Sequence, residues 1–200
     1  MSETTDTAVV RCDECAGNRP SYDIIHYGSG EGRARVLCSR CFNQMVAKLD
    51  GLVDFDDPRF EPVGLADADG RVRQFHFKTF LFGSGVSISA FEILDGHPGG
   101  YQFEIIGDPE GDLLALLGRL IEKIRRGMAV VHLVDEDHGR RIADAGVVRG
   151  KIDSARDHDG RRPLLIIDGR EIDWDEFGRM LMSYEGWQFR LQIADKSDEL

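Results

Sequence analysis

The first 50 residues alternate short apolar stretches with polar turns and end in a helical pattern. β-like stretches are predicted at residues 8–11, 22–27 and 33–37, and a glycine-rich turn joins the last two. From Cys41 the apolar residues fall at i, i+3, i+4 and i+7, which predicts a helix with one apolar face. That face comprises Phe42, Met45, Val46 and Leu49, and Gly51 ends the helix. The pattern therefore predicts strand, hairpin and helix.

The middle third carries strand patterns followed by one long amphipathic helix. An acidic, proline-containing stretch at 52–62 marks a domain boundary, and strands are predicted at 62–65, 72–80, 86–94 and 101–106, with a loop at 95–100. Phe75 and Phe77 alternate with polar residues, so they are expected on one buried face. Asp108 is expected to cap the helix, with Pro109 in its first turn. Its buried stripe is predicted to comprise Leu113, Leu116, Leu117, Leu120, Ile121 and Ile124.

The last third repeats this mixture of strands and a helix. Strands are predicted at 142–152 and 164–167, around a polar turn at 156–160, and Asp168-Gly169 forms a tight turn. Asp173 caps a helix at 174–183 whose inner face comprises Phe177, Met180 and Leu181. After Gly186 a closing strand is predicted from the alternation of Trp187, Phe189, Leu191 and Ile193.

These elements predict an α+β protein with mainly antiparallel sheet, in which each sheet segment packs with a helix. Three units are expected: residues 1–50, a β-rich segment at 51–127 that ends in the amphipathic helix, and a small α+β segment at 128–200.

Composition points to a globular protein of the cytoplasm. The apolar fraction of 42% permits a packed core. The longest apolar runs are too short to span a bilayer, and the first residues lack the basic and apolar regions of a signal peptide. We therefore expect cytoplasmic localisation and no membrane partner.

Four cysteines carry the clearest chemistry of the chain. Cys12, Cys15, Cys38 and Cys41 form two Cys-x-x-Cys pairs separated by one predicted hairpin, which would bring the pairs together. Thiolates are soft ligands, and zinc binds four of them tetrahedrally. One structural Zn²⁺ per chain is predicted, with a redox dithiol or free thiols as the alternatives.

The second cysteine pair also carries a resemblance. A knuckle, a hairpin and then Leu37-Cys38-Ser39-Arg40-Cys41-Phe42-Asn43 at a helix start resemble a treble-clef zinc finger. Later stretches, including residues 99–103, 167–172 and 185–189, resemble an uncharacterised bacterial protein family with such a finger. The resemblance implies the fold of the finger, and it implies no substrate and no catalytic residues.

Histidines give no catalytic site on sequence grounds. Some treble clefs are nucleases that use a hairpin histidine, and His26 has that position, but the flanking residues of the nuclease pattern are missing. His132 and His138 bracket the acidic residues 135–137, which are interpreted as a solvated turn. Neither a catalytic residue nor an organic cofactor is predicted, so an enzyme is not the expected class; a treble-clef nuclease remains a remote alternative.

Net charge separates the two remaining functions. The chain has 25 basic and 36 acidic residues and a net charge of −11, which opposes binding to a polyanion. We expect a protein–protein interaction adaptor or regulator. The alternative is nucleic-acid binding through the finger, with Arg33, Arg35 and Arg40 on phosphates; Asn43 and Gln44 are interpreted as ordinary helix-surface residues.

Overall fold

The structure is a computed structural model that describes residues 8–28, 34–53, 55–155, 161–195 and 197–198. Its class is α+β, and every strand pair within these residues is antiparallel. The predicted α+β class with mainly antiparallel sheet is thereby confirmed. None of the helices in the described residues is both long and apolar enough to cross a membrane.

The N-terminal elements form two small hairpins and a helix. In chain order they are β1 (Val9–Arg11), β2 (Asn18–Pro20), a short 3-10 helix (Ser21–Asp23), β3 (Ile24–Tyr27), β4 (Arg35–Cys38) and α1 (Ser39–Leu49). β1 pairs with β2, and β3 pairs with β4. The helix begins two residues earlier than predicted, because Cys38 takes the N-cap position. Its predicted apolar face is wrong at Leu49, which is 72% exposed, and Asn43 is buried instead.

Four antiparallel strands form the largest sheet. They are β5 (Val63–Ala66), β6 (Val72–Phe82), β7 (Gly85–Leu94) and β8 (His97–Gly107), in the order β5-β6-β7-β8. The predicted loop at 95–100 is wrong, because Asp95 and Gly96 alone make the turn with positive φ angles of 51° and 77°. The residues after this turn already pair with β7, and the register shifts between Phe91 and Glu92. A glycine is required at Gly100, where a Cβ would lie 2.2 Å from a Glu92 carboxylate oxygen.

A long helix, α2 (Leu113–Met128), packs its apolar stripe against this sheet. Phe75 is fully buried in the shared core and Phe77 packs against it, as predicted. The predicted stripe is confirmed, with Leu113, Leu116, Leu120 and Ile124 buried and Leu117 and Ile121 packed beside them. The predicted cap is wrong. Asp112 accepts hydrogen bonds from the backbone N–H groups of Leu114 and Ala115, whereas Asp108 closes a separate turn through Glu110.

The third segment contains a hairpin, a three-stranded sheet and a helix. They are β9 (Leu133–Glu136), β10 (Gly139–Ile142), β11 (Lys151–Ser154), β12 (Pro163–Ile167), β13 (Arg170–Asp173) and α3 (Trp174–Met182). The predicted strand at 142–152 is wrong, because residue 142 pairs back onto Leu133 and β11 starts only at Lys151. The predicted turn at 156–160 lies outside the described residues.

Two local predictions in this segment are confirmed. Asp168 and Gly169 make a tight turn with φ angles of 51° and 69°. Asp173 caps α3 by accepting a hydrogen bond from the Glu176 backbone N–H at 2.7 Å. The predicted inner face of α3 is confirmed at Met180, which is 3% exposed, and is wrong at Leu181, which is 45% exposed.

The predicted closing strand is wrong in this single chain. Residues 187–195 belong to no strand or helix. Their apolar side chains are open to solvent: Trp187 is 76% exposed, Phe189 90%, Leu191 74% and Ile193 71%. A strand needs a hydrogen-bonded neighbour, and none of the described strands pairs with this stretch.

Candidate metal centre

The cysteine thiols converge from three places in the N-terminal structure. Cys12 and Cys15 lie in the turn between β1 and β2, Cys38 ends β4, and Cys41 lies in the first turn of α1. Their sulfur atoms all lie within 4.8 Å of one another, and those of Cys15 and Cys38 are 4.0 Å apart. The convergence expected from the Cys-x-x-Cys spacing is therefore confirmed as geometry.

Backbone hydrogen bonds shape the first knuckle and attach it to β4. The Cys12 N–H donates to the Gly17 carbonyl at 3.0 Å, and the chain reverses through Ala16, whose φ is 55°. Asp13 then forms two hydrogen bonds with the backbone of Val36. Its N–H donates to the Val36 carbonyl, its carboxylate accepts from the Val36 N–H, and both distances are 2.8 Å. These two hydrogen bonds fix the position of the first cysteine pair, Cys12 and Cys15, relative to the second pair, Cys38 and Cys41.

The thiols differ in exposure and in acidity. Cys12 and Cys38 are each only 1% exposed, Cys41 is half-buried and Cys15 is exposed. Burial acts to raise the pKa of Cys12, but hydrogen bonds from the N–H groups of Cys15, Cys38 and Glu14 outweigh it and lower the pKa to about 6. Burial raises the pKa of Cys38 and of Cys41. The Cys12 thiol adds to the rise at both residues, whereas hydrogen bonds from Cys41 act against it at Cys38.

The cluster fits a tetrahedral thiolate site. Zinc–sulfur bonds of about 2.3 Å place the sulfurs of a regular tetrahedron about 3.8 Å apart. The 4.0 Å separation of the Cys15 and Cys38 sulfurs is close to this value. The Cys38 N–H also donates to the Cys12 sulfur at 3.3 Å, the kind of outer hydrogen bond that orients a metal ligand. The four residues could therefore hold one metal ion.

A small core couples this cluster to the large sheet. Leu37 and Phe42 are buried beside Cys12 and Cys38. The Phe42 ring stacks on Phe80 of β6, with ring centroids 5.2 Å apart and planes 8° from parallel. Lys78, also on β6, donates to the Tyr22 carbonyl at 2.9 Å. The N-terminal unit therefore packs directly against the four-stranded sheet.

Asn43 is a structural residue that the sequence prediction missed. Its side chain is 0% exposed. The amide nitrogen donates to the Thr79 carbonyl at 3.0 Å and to the Asp57 carboxylate at 2.9 Å, and the amide oxygen accepts from the Leu81 N–H at 3.0 Å. The available signal was its position between Phe42 and Ala47 on the buried side of α1. The prediction that it is an ordinary surface residue is wrong.

The predicted arginine cluster is partly neutralised by carboxylates. Arg35 forms an ion pair with Glu14, and both side chains are exposed. Arg40 is exposed on α1 and interacts electrostatically with Asp57. Arg33 lies outside the described residues. Arg35 therefore has a carboxylate beside it in the position where a phosphate contact was considered.

The histidines considered from sequence do not join the cysteine cluster. His26 is exposed on β3, and His132 is buried with its ring Nδ1 2.9 Å from the Val147 carbonyl. Asp135, between His132 and His138, is exposed and ion-paired with Arg140 and Arg170. Within the described ranges, no second group of three or more histidine, cysteine or carboxylate side chains has the spacing of a metal site.

Three family models match successive parts of the chain, and each is described as a domain of unknown function. The match to DUF7685 covers residues 11–52, that to DUF7686 covers residues 56–129 and that to DUF7713 covers residues 132–198. No curated protein and no solved structure matches the chain. These findings support a family of unknown function, and the four cysteines all lie within the residues matched by DUF7685.

Proposed function

We propose that Cys12, Cys15, Cys38 and Cys41 bind one structural Zn²⁺ in a treble-clef-like finger. The convergence of the four sulfurs within 4.8 Å carries this proposal. Four soft thiolates in a tetrahedral cluster favour zinc among the common cellular metals, and hard cations such as magnesium or calcium prefer oxygen ligands. The hairpin β3–β4 ends at Cys38, and Cys41 follows in the first turn of α1, an order consistent with a treble clef.

The proposed site supplies folding free energy and no chemistry on a substrate. Four protein ligands fill the tetrahedral shell, whereas a catalytic zinc keeps a position for water or substrate. The ion would join the β1–β2 turn to the start of α1, and α1 carries the contacts of Phe42 and Asn43 with β6. The metal would therefore organise the finger as a rigid unit on the sheet.

A finger held rigid by a metal ion suits a bacterial cytoplasmic adaptor or regulator that acts through contacts with other proteins. The net charge of −11 and the carboxylate partner of Arg35 support a protein partner over a polyanion. The expected division at about residues 50 and 127 stays a prediction, as do nucleic-acid binding and the remote nuclease alternative at His26. Both alternatives have less support from the described residues.

The test is capture of native complexes from a nuclease-treated lysate, followed by reconstitution from purified components. The proposal predicts a protein partner that survives nuclease treatment, binds the zinc-loaded chain directly and is lost with the Cys38→Ser variant. Recovery of nucleic acid alone, with no protein retained after nuclease treatment, would contradict it.

A further inference from the structure

The C-terminal segment, residues 187–193, has the sequence of a strand but pairs with no strand in the described part of the chain. Its four apolar side chains alternate with Gln188, Arg190 and Gln192, so an extended backbone places them on one face. They are 71–90% exposed. A contiguous set of large apolar side chains this open to water marks a contact surface.

Both ends of the C-terminal segment are attached to the body of the protein. At its start the Trp187 N–H donates to the Tyr184 carbonyl at 2.9 Å, and the two rings lie 5.7 Å apart edge to face. Beyond its end, Lys123 of α2 donates to the carbonyls of Ser197 at 2.9 Å and Asp198 at 2.8 Å. The four exposed side chains therefore lie between two points at which the chain is hydrogen-bonded to the rest of the protein.

The three-stranded sheet of the same segment offers an open edge. Its order is β11-β12-β13, so β11 and β13 are the outer strands. The β13 side is flanked by the β9–β10 hairpin, since Arg170 donates to both carboxylate oxygens of Asp135 at 2.8 Å. On the other side, none of the strands in the described residues pairs with the outer edge of β11. An edge of this kind presents unpaired N–H and C=O groups to another strand.

An apolar side chain next to that edge matches the C-terminal segment. Ile152 of β11 lies opposite Leu165, which lies opposite Ile172. The last two pack in the core beneath α3, so Ile152 is on the same side of the sheet, yet it is 58% exposed. A strand added beside β11 with its apolar face toward α3 would cover Ile152 and bury its own side chains together.

We propose that the C-terminal segment of one copy pairs as a β-strand with the outer edge of β11 in a second copy. This inference goes beyond the proposed adaptor function, because the partner is a second copy of the chain and the contact lies outside the cysteine cluster. Reciprocal exchange makes a closed two-fold dimer in which both copies lose an open edge and an exposed apolar face. It also restores the strand that the alternating sequence predicts after α3.

The area available is sufficient for a stable dimer. Aromatic side chains bury about 150–250 Å² each, so Trp187 and Phe189 at their observed exposure supply roughly 300 Å² per copy, to which Leu191 and Ile193 add. Two reciprocal segments then supply more than about 600 Å², and the surface covered around each β11 is of similar size, which brings the total into the range of specific interfaces. On the polar face of the added strand, Arg190 would lie beside Lys151 and Asp153 of β11. These two residues have opposite charges, so together they do not repel Arg190.

The test is sedimentation and light scattering of the zinc-loaded full chain over a wide range of concentration. We expect a dimer whose dissociation constant rises by about 30-fold or more with Phe189→Ser, the effect of losing one central aromatic anchor. Ile152→Lys should weaken the dimer comparably. Leu49→Ser is the matched control, since Leu49 is 72% exposed on α1 and far from this interface in sequence, and it should leave the dimer unchanged.

Amide hydrogen exchange in the same samples locates the strand. Slow exchange at residues 187–193 in the dimer and fast exchange in the Phe189→Ser monomer would support the pairing. A chain that stays monomeric at every concentration overturns it, whether or not the segment is protected. So does a dimer that persists in Phe189→Ser or in Ile152→Lys. Zinc content measured on each sample separates failure of this pairing from failure of the metal site.

Discussion

The side chain of Asn43, on α1, is hydrogen-bonded to the backbone carbonyl of Thr79, on β6, at 3.0 Å. The same amide also satisfies the Leu81 N–H. β5 pairs with β6 only from Val72 to Phe75, so the Thr79 carbonyl and the Leu81 N–H lie beyond that pairing. Asn43 supplies their hydrogen bonds instead. These bonds show that α1 is attached to the sheet by specific polar contacts as well as by apolar ones.

Removing the Asn43 amide is expected to destabilise the protein. Asn43→Ala leaves the Thr79 carbonyl and the Leu81 N–H buried without this partner, and a buried unsatisfied group costs about 1–3 kcal/mol. Urea unfolding of the zinc-loaded protein should therefore show a loss of about 2–6 kcal/mol for the two groups. Gln44→Ala, at the exposed neighbouring position, is the control and should change little. A loss below about 0.5 kcal/mol for Asn43→Ala would show that this bond does not hold α1 on the sheet.

Loss of the metal is expected to unfold the first 50 residues more than the rest. The core around the cysteines is small, so zinc binding would supply much of the folding free energy there, whereas α2 and β5–β8 share a large core. Hydrogen exchange of Cys38→Ser should show fast exchange in β1–β4 and α1 and slow exchange in β6, β7 and α2. Melting of the whole chain in one step with the loss of zinc would show that the finger and the sheet form one cooperative unit.

Nucleic-acid binding is expected to be weak and to be lost steeply with salt. Each neutralised phosphate needs a lysine or arginine, and Arg35 already faces Glu14. Fluorescence anisotropy with duplex DNA and structured RNA at low and physiological salt measures this. Sub-micromolar binding that survives physiological salt and falls with Arg33→Ala plus Arg35→Ala would reverse the ranking of the two functions.

Acidic pH is expected to lower the free energy of unfolding, because Asp67 loses its charge. Burial acts to raise the pKa of this carboxyl, but hydrogen bonds from Arg73 and from the backbone of Arg71 and Asp69 outweigh it and lower the pKa. The folded pKa lies below the unfolded one, so the stabilisation is complete above the ordinary pKa of aspartate and is lost as pH falls through the folded value.

Urea unfolding as a function of pH tests this assignment. Asp67→Asn should be less stable than the wild type at neutral pH and should lose less stability between neutral pH and pH values below the ordinary aspartate pKa. Asp69→Asn, in the same exposed turn, should follow the wild-type profile. Identical profiles for Asp67→Asn and the wild type would contradict the role of the Asp67–Arg73 pair.

The sequence predicted those parts of the fold that depend on residues close together along the chain. The spacing of Cys12 to Cys41 predicted the cluster of thiols, and the i, i+3, i+4 recurrence of leucines predicted the buried face of α2. The Asp173 cap was also predicted, because an aspartate directly before a helix bonds to an N–H three residues on. In each case the interacting residues are close along the chain or repeat a fixed period.

The missed features depend on partners distant in sequence. The burial of Asn43 is decided by β6, 36 residues away. Alternation at residues 187–193 reports a preference for a strand, but only an available sheet edge decides whether the strand forms. The Asp108 cap failed for a different reason, since two aspartates compete for the start of α2 and the turn closed by Asp108 leaves the cap to Asp112.

The central claim is the zinc site, and elemental analysis of protein prepared without chelator tests it most directly. We expect one zinc per chain in the wild type and a loss of that zinc in Cys12→Ser or Cys38→Ser, the two buried thiols of the cluster. Ser39→Ala, at the residue beside Cys38, serves as the control and should keep the metal. Wild-type protein that carries no zinc, or that carries a disulfide within either Cys-x-x-Cys pair, would contradict the account.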